Sequence, residues 1–314
     1  MKKFKVLISP NTLLPVLEKY RSILEEKEVE IIIPPVFNEF LSEEELLPLV
    51  SQIDGAICGD DQYTKTIFQN AKKLKVLSKW GEGLNAIDLV AAKEFGVKVY
   101  RTAGALTDPV ADTVMGYILA FARNLIERDR NMKNGNWVKL PAVTLKESTL
   151  GIVGFGKIGQ AVAKRALNFG MKVIAFDKVP PERKVLDELK TELVNFNQIL
   201  SQSDFISLNC DLNESSIKII NEKSFQKMKK NCVLINTARG ELIDQKSLID
   251  ALTKNLIAGA ALDVFEKEPL SKTSLLRKMN NCLLSAHNAN ASPYVFDYIH
   301  RKTIENLFHG LDIV

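Results

Sequence analysis

Along almost the whole chain, short runs of Val, Ile and Leu alternate with stretches whose apolar residues recur every three or four positions. In the first hundred residues the runs are FKVLIS, VEIIIPP, DGAICGD, LKVLSKW and VKVYRT, and LLPVLEKYRSILEE, SEEELLPLV and TIFQNAKK lie between them. Short Val/Ile/Leu-rich strands separated by amphipathic helices predict a parallel sheet covered by helices on both faces. A first unit of this kind ends near Arg101. A long helix is then expected from about Asp108 to Met132, with Asp108 at the N-cap and Pro109 at the first helical position. Its apolar positions, Ala111, Val114, Met115, Ile118, Leu119, Ala122, Leu125 and Ile126, keep helical spacing. After the loop KNGNWVKLPAV, whose Trp137 reads as exposed, a second alternating series opens at Thr149.

Composition narrows this picture. A chain of 314 residues exceeds the usual size of one core, so two α/β domains are expected. Hydrophobic residues at 46% and charged residues at 25% are those of an ordinary globular protein. The net charge of +4 is spread, with no basic block interleaved with aromatics, so nucleic acid is not an expected partner. The apolar run at Val6–Ile8 is too short for a secretion signal and reads as a first strand. No segment reaches the roughly 18 apolar residues of a membrane span. Cys58, Cys210, Cys232 and Cys282 lie far apart with no C-x-x-C pair, which argues against thiolate metal sites and for reduced thiols in a cytoplasmic protein.

The second series carries the first chemical signal. Leu150–Val153 reads as a strand, Gly154-Phe155-Gly156-Lys157-Ile158-Gly159 is a G-x-G-x-x-G, and a helix follows. The next strand, Lys172–Phe176, ends in Asp177, 18 residues beyond Gly159. In this context Gly154 serves the tight turn, Gly156 the approach of a pyrophosphate and Gly159 the close packing of helix on strand. The helix N-terminus presents N–H groups to phosphate. Asp177 can accept both adenosine ribose hydroxyls and would repel a 2′-phosphate, so NAD is the expected cofactor.

Three further segments sit where strands end: Asn236-Thr237-Ala238-Arg239-Gly240, the run from Asp263 to Pro269 that holds Glu268, and SAHNAN with His287. In a doubly wound sheet such ends face one crevice. Arg239, Glu268 and His287 together suit hydride transfer at a carbon bearing a hydroxyl or keto group. The guanidinium would grip a carboxylate in bidentate fashion, the imidazole would exchange the hydroxyl proton, and the glutamate would fix the imidazole tautomer.

With these segments the chain resembles the D-2-hydroxyacid dehydrogenases over essentially its whole length: NTARG matches the family's arginine motif, LDVFEKEP its glutamate motif and SAHNAN its histidine motif. The resemblance implies that Arg239 binds substrate carboxylate, Glu268 orients the base and His287 is the acid/base. It implies cofactor contacts at Lys157, Ile158, Asp177, Thr237 and Asp263 beside the glycines. It also implies a substrate loop in SKWGEGLNAID, where backbone N–H groups around Glu82 and Gly83 bind the carboxylate; Lys79 in this loop either helps a substrate phosphate or is an ordinary surface lysine. The implied fold is two doubly wound parallel-sheet lobes, a Rossmann NAD-binding domain (102–289) inserted into a flavodoxin-like substrate domain (1–101 plus 290–314). A homodimer is implied, with Trp137 reaching toward the partner. Glu82 stands where the family commonly has an apolar residue, and Asn85-Ala86 replaces the usual Asp-Asn. Within the family the phosphoglycerate dehydrogenases are the expected branch, lacking their regulatory domain, and glyoxylate or hydroxypyruvate reductase is the alternative. A reading from another class is an NAD-sensing corepressor-like protein.

Overall fold

The computed structural model describes residues 4–35 and 40–313. It divides into two compact units, Met1–Leu106 with Ala291–Val314, and Thr107–Asn290.

The first unit is built on β1 (Phe4–Ile8), β2 (Val29–Ile32), β3 (Gly55–Cys58), β4 (Val76–Lys79) and β5 (Lys98–Arg101). They form one parallel sheet in the order β2-β1-β3-β4-β5, the flavodoxin-like arrangement with its switch point between β1 and β3. β3 and β4 are buried along their whole length, and β3 is accordingly apolar without alternation, whereas β4 carries Ser78 and Lys79 into the interior. The helices are α1 (Arg21–Glu26), α2 (Glu43–Val50), α3 (Lys65–Asn70), α4 (Leu89–Glu94) and, from the chain's far end, α12 (Pro293–Gly310). α2 starts with a capping box in which Ser42 and Glu45 satisfy each other's backbone N–H groups. α12 starts at Ser292, whose hydroxyl accepts from Val295 N, with Pro293 in the first turn. The expected single helix over LLPVLEKYRSILEE is instead a 3₁₀ segment, Leu14–Tyr20, followed by α1. Tyr20 leaves helical geometry at ψ −2° as its ring enters the core and its hydroxyl donates to Asp297 Oδ1 at 2.7 Å.

The second unit has β6 (Thr149–Val153), β7 (Lys172–Phe176), β8 (Glu192–Leu193), β9 (Phe205–Leu208), β10 (Val233–Asn236), β11 (Gly259–Leu262) and β12 (Cys282–Leu284), all parallel. Their order, β12-β11-β10-β9-β6-β7-β8, is the Rossmann arrangement with its reversal between β6 and β9. Around the sheet run α5 (Thr107–Ala122), α6 (Leu125–Lys133), α7 (Lys157–Asn168), α8 (Arg183–Glu188), α9 (Phe196–Gln202), α10 (Glu222–Phe225) and α11 (Gln245–Thr253). One core layer joins α5 and α7 to the sheet and the other lies under α9 to α11.

The long helix expected over Asp108–Met132 is two helices. Asn124 adopts the left-handed conformation at φ 50°, which an asparagine tolerates better than most residues, and this separates α5 from α6. The break is held by the following arm: Asn124 Nδ2 donates to Pro141 O, Arg128 to Leu140 O and Arg123 to Val143 O. α5 buries Ala111, Val114 and Ile118 fully, whereas α6 buries no side chain at all.

Candidate active site

Four segments of the second unit meet at the carboxyl ends of β6, β7, β10, β11 and β12. The first is the glycine turn after β6. Gly154 has φ +92°, and a Cβ there would lie 2.5 Å from Cys210 N, so the turn is pressed against the chain leaving β9 at the sheet's reversal. A Cβ on Gly159 would overlap Gly154 O, which is the close packing of α7 on its strand. Gly156 is different: nothing lies within 4 Å of the Cβ it lacks. It is the N-cap of α7 without a side-chain cap, so the first amides of the helix, at Lys157 and Ile158, face outward with the positive end of the helix dipole. Asp177, after β7, is fixed at the rim by accepting from Phe155 N (2.6 Å, Oδ2) and Val179 N (3.0 Å, Oδ1). Each of those oxygens keeps acceptor capacity beyond these bonds.

The second segment follows β10. Asn236, fully buried, accepts from Ala238 N at 3.1 Å and donates to Arg239 O at 2.7 Å, shaping the turn that presents Arg239. The Arg239 guanidinium makes one bond back to Ala238 O at 2.7 Å. Thr237 Oγ1 is buried without a hydrogen-bond partner, an uncommon state for a hydroxyl. Gly240 ties this segment to the third, because any Cβ there would overlap the Phe265 carbonyl. Only glycine lets the arginine turn lie flat on the loop that carries Glu268.

That loop and the histidine loop after β12 are joined directly. Glu268 Oε1 accepts from Phe265 N at 2.9 Å, and Glu268 Oε2 lies 2.8 Å from His287 Nδ1. A carboxylate only accepts, so Nδ1 carries the proton in this pair and the neutral ring keeps its basic lone pair on Nε2. His287 has φ 49°, in the left-handed region. Asp263 holds it there: its carbonyl accepts from His287 N at 2.7 Å, Oδ1 from Asn288 N and Oδ2 from Ala289 N, both at 2.8 Å. Asp263 is 1% exposed, so both carboxylate oxygens are committed inside the protein. From α5, Thr113 Oγ1 donates to Ala289 O at 3.0 Å, and one turn on, Tyr117 hydrogen-bonds Ser285. Burial pushes the Tyr117 hydroxyl above its ordinary range.

Arg239, Glu268 and His287 were legible in the sequence, as were the glycines and Asp177. The loop-holding roles of Asn236, Thr113, Tyr117 and Asp263 were not. A polar residue such as Thr113 or Tyr117 within an apolar helix stripe was the one available signal.

Lys79, Glu82 and Gly83 belong to the first unit. Lys79 is 5% exposed, its ammonium bonded to Trp80 O at 2.8 Å and paired with Asp60 Oδ1 at 3.2 Å. It is therefore neither a surface lysine nor an uncommitted cation. Glu82 turns its carboxylate to Gly104 N, 2.5 Å away, and its carbonyl accepts from Arg101. Among the described residues, the N–H groups of Glu82 and Gly83 donate to no protein acceptor.

The open face at Gly156, the outward amides of α7, the carboxylate of Asp177 and the orphaned hydroxyl of Thr237 fit a dinucleotide laid across the sheet's reversal. Comparison with known proteins agrees. Residues 115–289 match the profile of the D-isomer specific 2-hydroxyacid dehydrogenase, NAD binding domain. The chain is 38% identical to a hydroxypyruvate reductase of Thermotoga maritima, over 88% of this chain and 87% of that protein. It is 40% identical to a glyoxylate reductase of Thermococcus litoralis, over 79% and 77% of the two chains. A D-3-phosphoglycerate dehydrogenase of Methanocaldococcus jannaschii is 38% identical over 79% of this chain but only 48% of its own. Among solved structures, the TT0316 protein from Thermus thermophilus superposes with a TM-score of 0.86 at 31% identity, covering 98% of this chain and 97% of that one. The chain belongs to the D-isomer specific 2-hydroxyacid dehydrogenase family. It is an NAD-dependent oxidoreductase.

Proposed function

We propose that this enzyme reduces a small, unphosphorylated 2-keto acid, glyoxylate or hydroxypyruvate, to the D-2-hydroxy acid. The observation that carries the chemistry is the 2.8 Å pair of His287 Nδ1 and Glu268 Oε2. With Nδ1–H given to the carboxylate, His287 delivers a proton from Nε2 to the keto oxygen in reduction and takes it back in oxidation, while Glu268 stabilises the imidazolium. Arg239 receives the substrate carboxylate through its two-pronged guanidinium. NADH, held by Gly154, Gly156, Lys157, Ile158, Gly159, Asp177 and Thr237, supplies the hydride. Asp263 acts through the histidine loop it holds. Within the first unit, the unbonded N–H groups of Glu82 and Gly83 suit a carboxylate, and we assign that loop to substrate binding.

The choice of substrate rests on Lys79. Its ammonium is buried and neutralised by Asp60, so it does not offer the exposed cation that a substrate phosphate would need, and this weighs against the phosphoglycerate dehydrogenase branch. The exposed Leu125, Ile126 and Met132 of α6, followed by Trp137 at 83% exposure, support a homodimer formed through this arm. Four free cysteines fit a reducing, cytoplasmic setting. The test is NADH oxidation by the purified protein with glyoxylate, hydroxypyruvate, pyruvate and 3-phosphohydroxypyruvate. A kcat/KM highest for 3-phosphohydroxypyruvate would refute the substrate reading. NADH binding without turnover of any keto acid would favour the sensor reading.

A further inference from the structure

The three histidines are not equivalent. His287 is in the second unit and His309 lies near the end of α12, but His300 is buried in the core of the first unit at 4% exposure. Its Nδ1 accepts a hydrogen bond of 3.0 Å from the indole Nε1 of Trp80. Trp80 is itself buried, stacked edge-on against Phe296 at 5.1 Å and tilted against the His300 ring at 5.8 Å. The indole N–H is the only polar atom of that side chain, and His300 is its acceptor.

Trp80 is also part of the loop that leaves β4. Its own N–H donates to Cys58 O, its carbonyl accepts from Lys79 Nζ, and the Gly81 carbonyl accepts from Thr102 N. The carbonyls and acidic side chain of Trp80–Glu82 are thus bonded to other groups of the first unit, while the N–H groups of Glu82 and Gly83 are not. The indole is the one side chain that roots this stretch in the core.

We infer that His300 is a positioning residue for substrate binding: by accepting the Trp80 indole N–H it fixes the loop whose Glu82 and Gly83 N–H groups receive the substrate carboxylate. The inference rests on the proposed role of that loop. The bond requires a neutral ring protonated on Nε2, because an imidazolium has no acceptor. The groups around the ring are Asp297 and Arg301 of its own helix and Tyr20 and Lys19 of the 3₁₀ segment. Tyr20 lies at 5.7 Å with its hydroxyl bound to Asp297, and Arg301 sits over the Tyr20 ring. Burial outweighs the Asp297 charge and pushes the imidazole down to about 4, so the acceptor state holds through the neutral range.

The test compares His300→Leu, which removes the acceptor, with His300→Asn, whose Oδ1 can take the place of Nδ1, both in a Trp137→Phe background that leaves Trp80 as the only tryptophan. The expected result for His300→Leu is a KM for the keto acid raised about 10-fold, the size of one lost hydrogen bond. Its kcat and NADH Kd stay within about two-fold, and the Trp80 emission shifts. His300→Asn should restore KM and emission toward wild type. Trp80→Phe removes the donor instead, without leaving a buried orphan N–H, and should raise KM similarly. If His300→Leu does not fold, an unchanged KM in Trp80→Phe overturns the inference on its own. Gly83→Pro, which deletes one of the loop N–H groups, separates the two levels. A raised KM in Gly83→Pro with an unchanged KM in His300→Leu overturns the role of His300 alone. An unchanged KM in both overturns the role of the loop.

Discussion

Replacing Asp263 by Asn changes one atom and removes a charge that the structure uses twice. In the native loop Asp263 Oδ1 and Oδ2 each accept a backbone N–H at 2.8 Å, from Asn288 and Ala289, while its carbonyl accepts from His287 N. An asparagine keeps one acceptor and turns an NH₂ toward the other amide. The lost charge-assisted bond is worth about 1.5–3 kcal/mol, and the buried amide left without an acceptor costs about 1–3 kcal/mol more. Against this stands His287 at φ 49°, a conformation that costs a non-glycine residue roughly 1–2 kcal/mol and persists only while its surroundings enforce it. The loss is larger than the strain being restrained, so the histidine loop should relax and the imidazole should leave its place beside Glu268. Misplacing a catalytic group by about 1 Å costs on the order of 100-fold. The expected result is a kcat reduced 10- to 100-fold with an NADH Kd, read by fluorescence titration, within about two-fold of wild type. A variant with full kcat but weakened NADH binding would refute the reasoning and return Asp263 to the role of a cofactor contact.

Glu268→Gln should lower kcat/KM about 30- to 150-fold, the equivalent of the roughly 2–3 kcal/mol of a hydrogen bond to a charged group. NADH binding should be unaffected, and undiminished turnover would sink the assignment of the His287–Glu268 pair. Gly156→Ala should lower the melting temperature by no more than about 3 °C, since its Cβ meets nothing within 4 Å and only the N-cap preference is lost, yet raise the NADH Kd at least ~10-fold by filling the approach to the pyrophosphate. Equal NADH affinity in that variant would mean that the dinucleotide lies elsewhere. Stability should also fall with acid through His300. Its ordinary value is 6.5 and its folded value about 4, so between these the unfolded chain takes up the proton first. The contribution is intact above about pH 6.5 and lost by about pH 4, a total of about 3 kcal/mol at ~1.4 kcal/mol per unit. Urea midpoints at pH 7.5 and 4.5 should converge in His300→Asn relative to wild type, and parallel losses in the two proteins would contradict this.

The chain's pattern carried much of this fold because its central strands are buried on both faces. GAIC, VLIN and GAAL need no partner in view to be read as buried parallel strands, and a helix between each pair leaves few topologies. The glycine fingerprint was legible for a similar reason: its three glycines, the preceding strand and Asp177 answer to local geometry that repeats wherever a dinucleotide is bound. Arg239, Glu268 and His287 each follow a strand, and parallel strands bring such ends to one edge.

What tertiary structure decided was how those residues are held and what else they touch. The division of the long helix at Asn124 depends on carbonyls of Leu140, Pro141 and Val143, which return from farther along the chain. Lys79 stays open to a role at a substrate phosphate until the fold buries it and pairs it with Asp60 from the neighbouring strand end. Glu82, unusual in the sequence, is explained by an amide 22 positions away, and Trp80 by a histidine 220 positions away. Periodicity reports which face of an element is buried, because burial is imposed residue by residue along that element. Hydrogen bonds and ion pairs between distant segments leave no such period, so the partners of Asp263, Lys79 and His300 became visible only when the chain was folded.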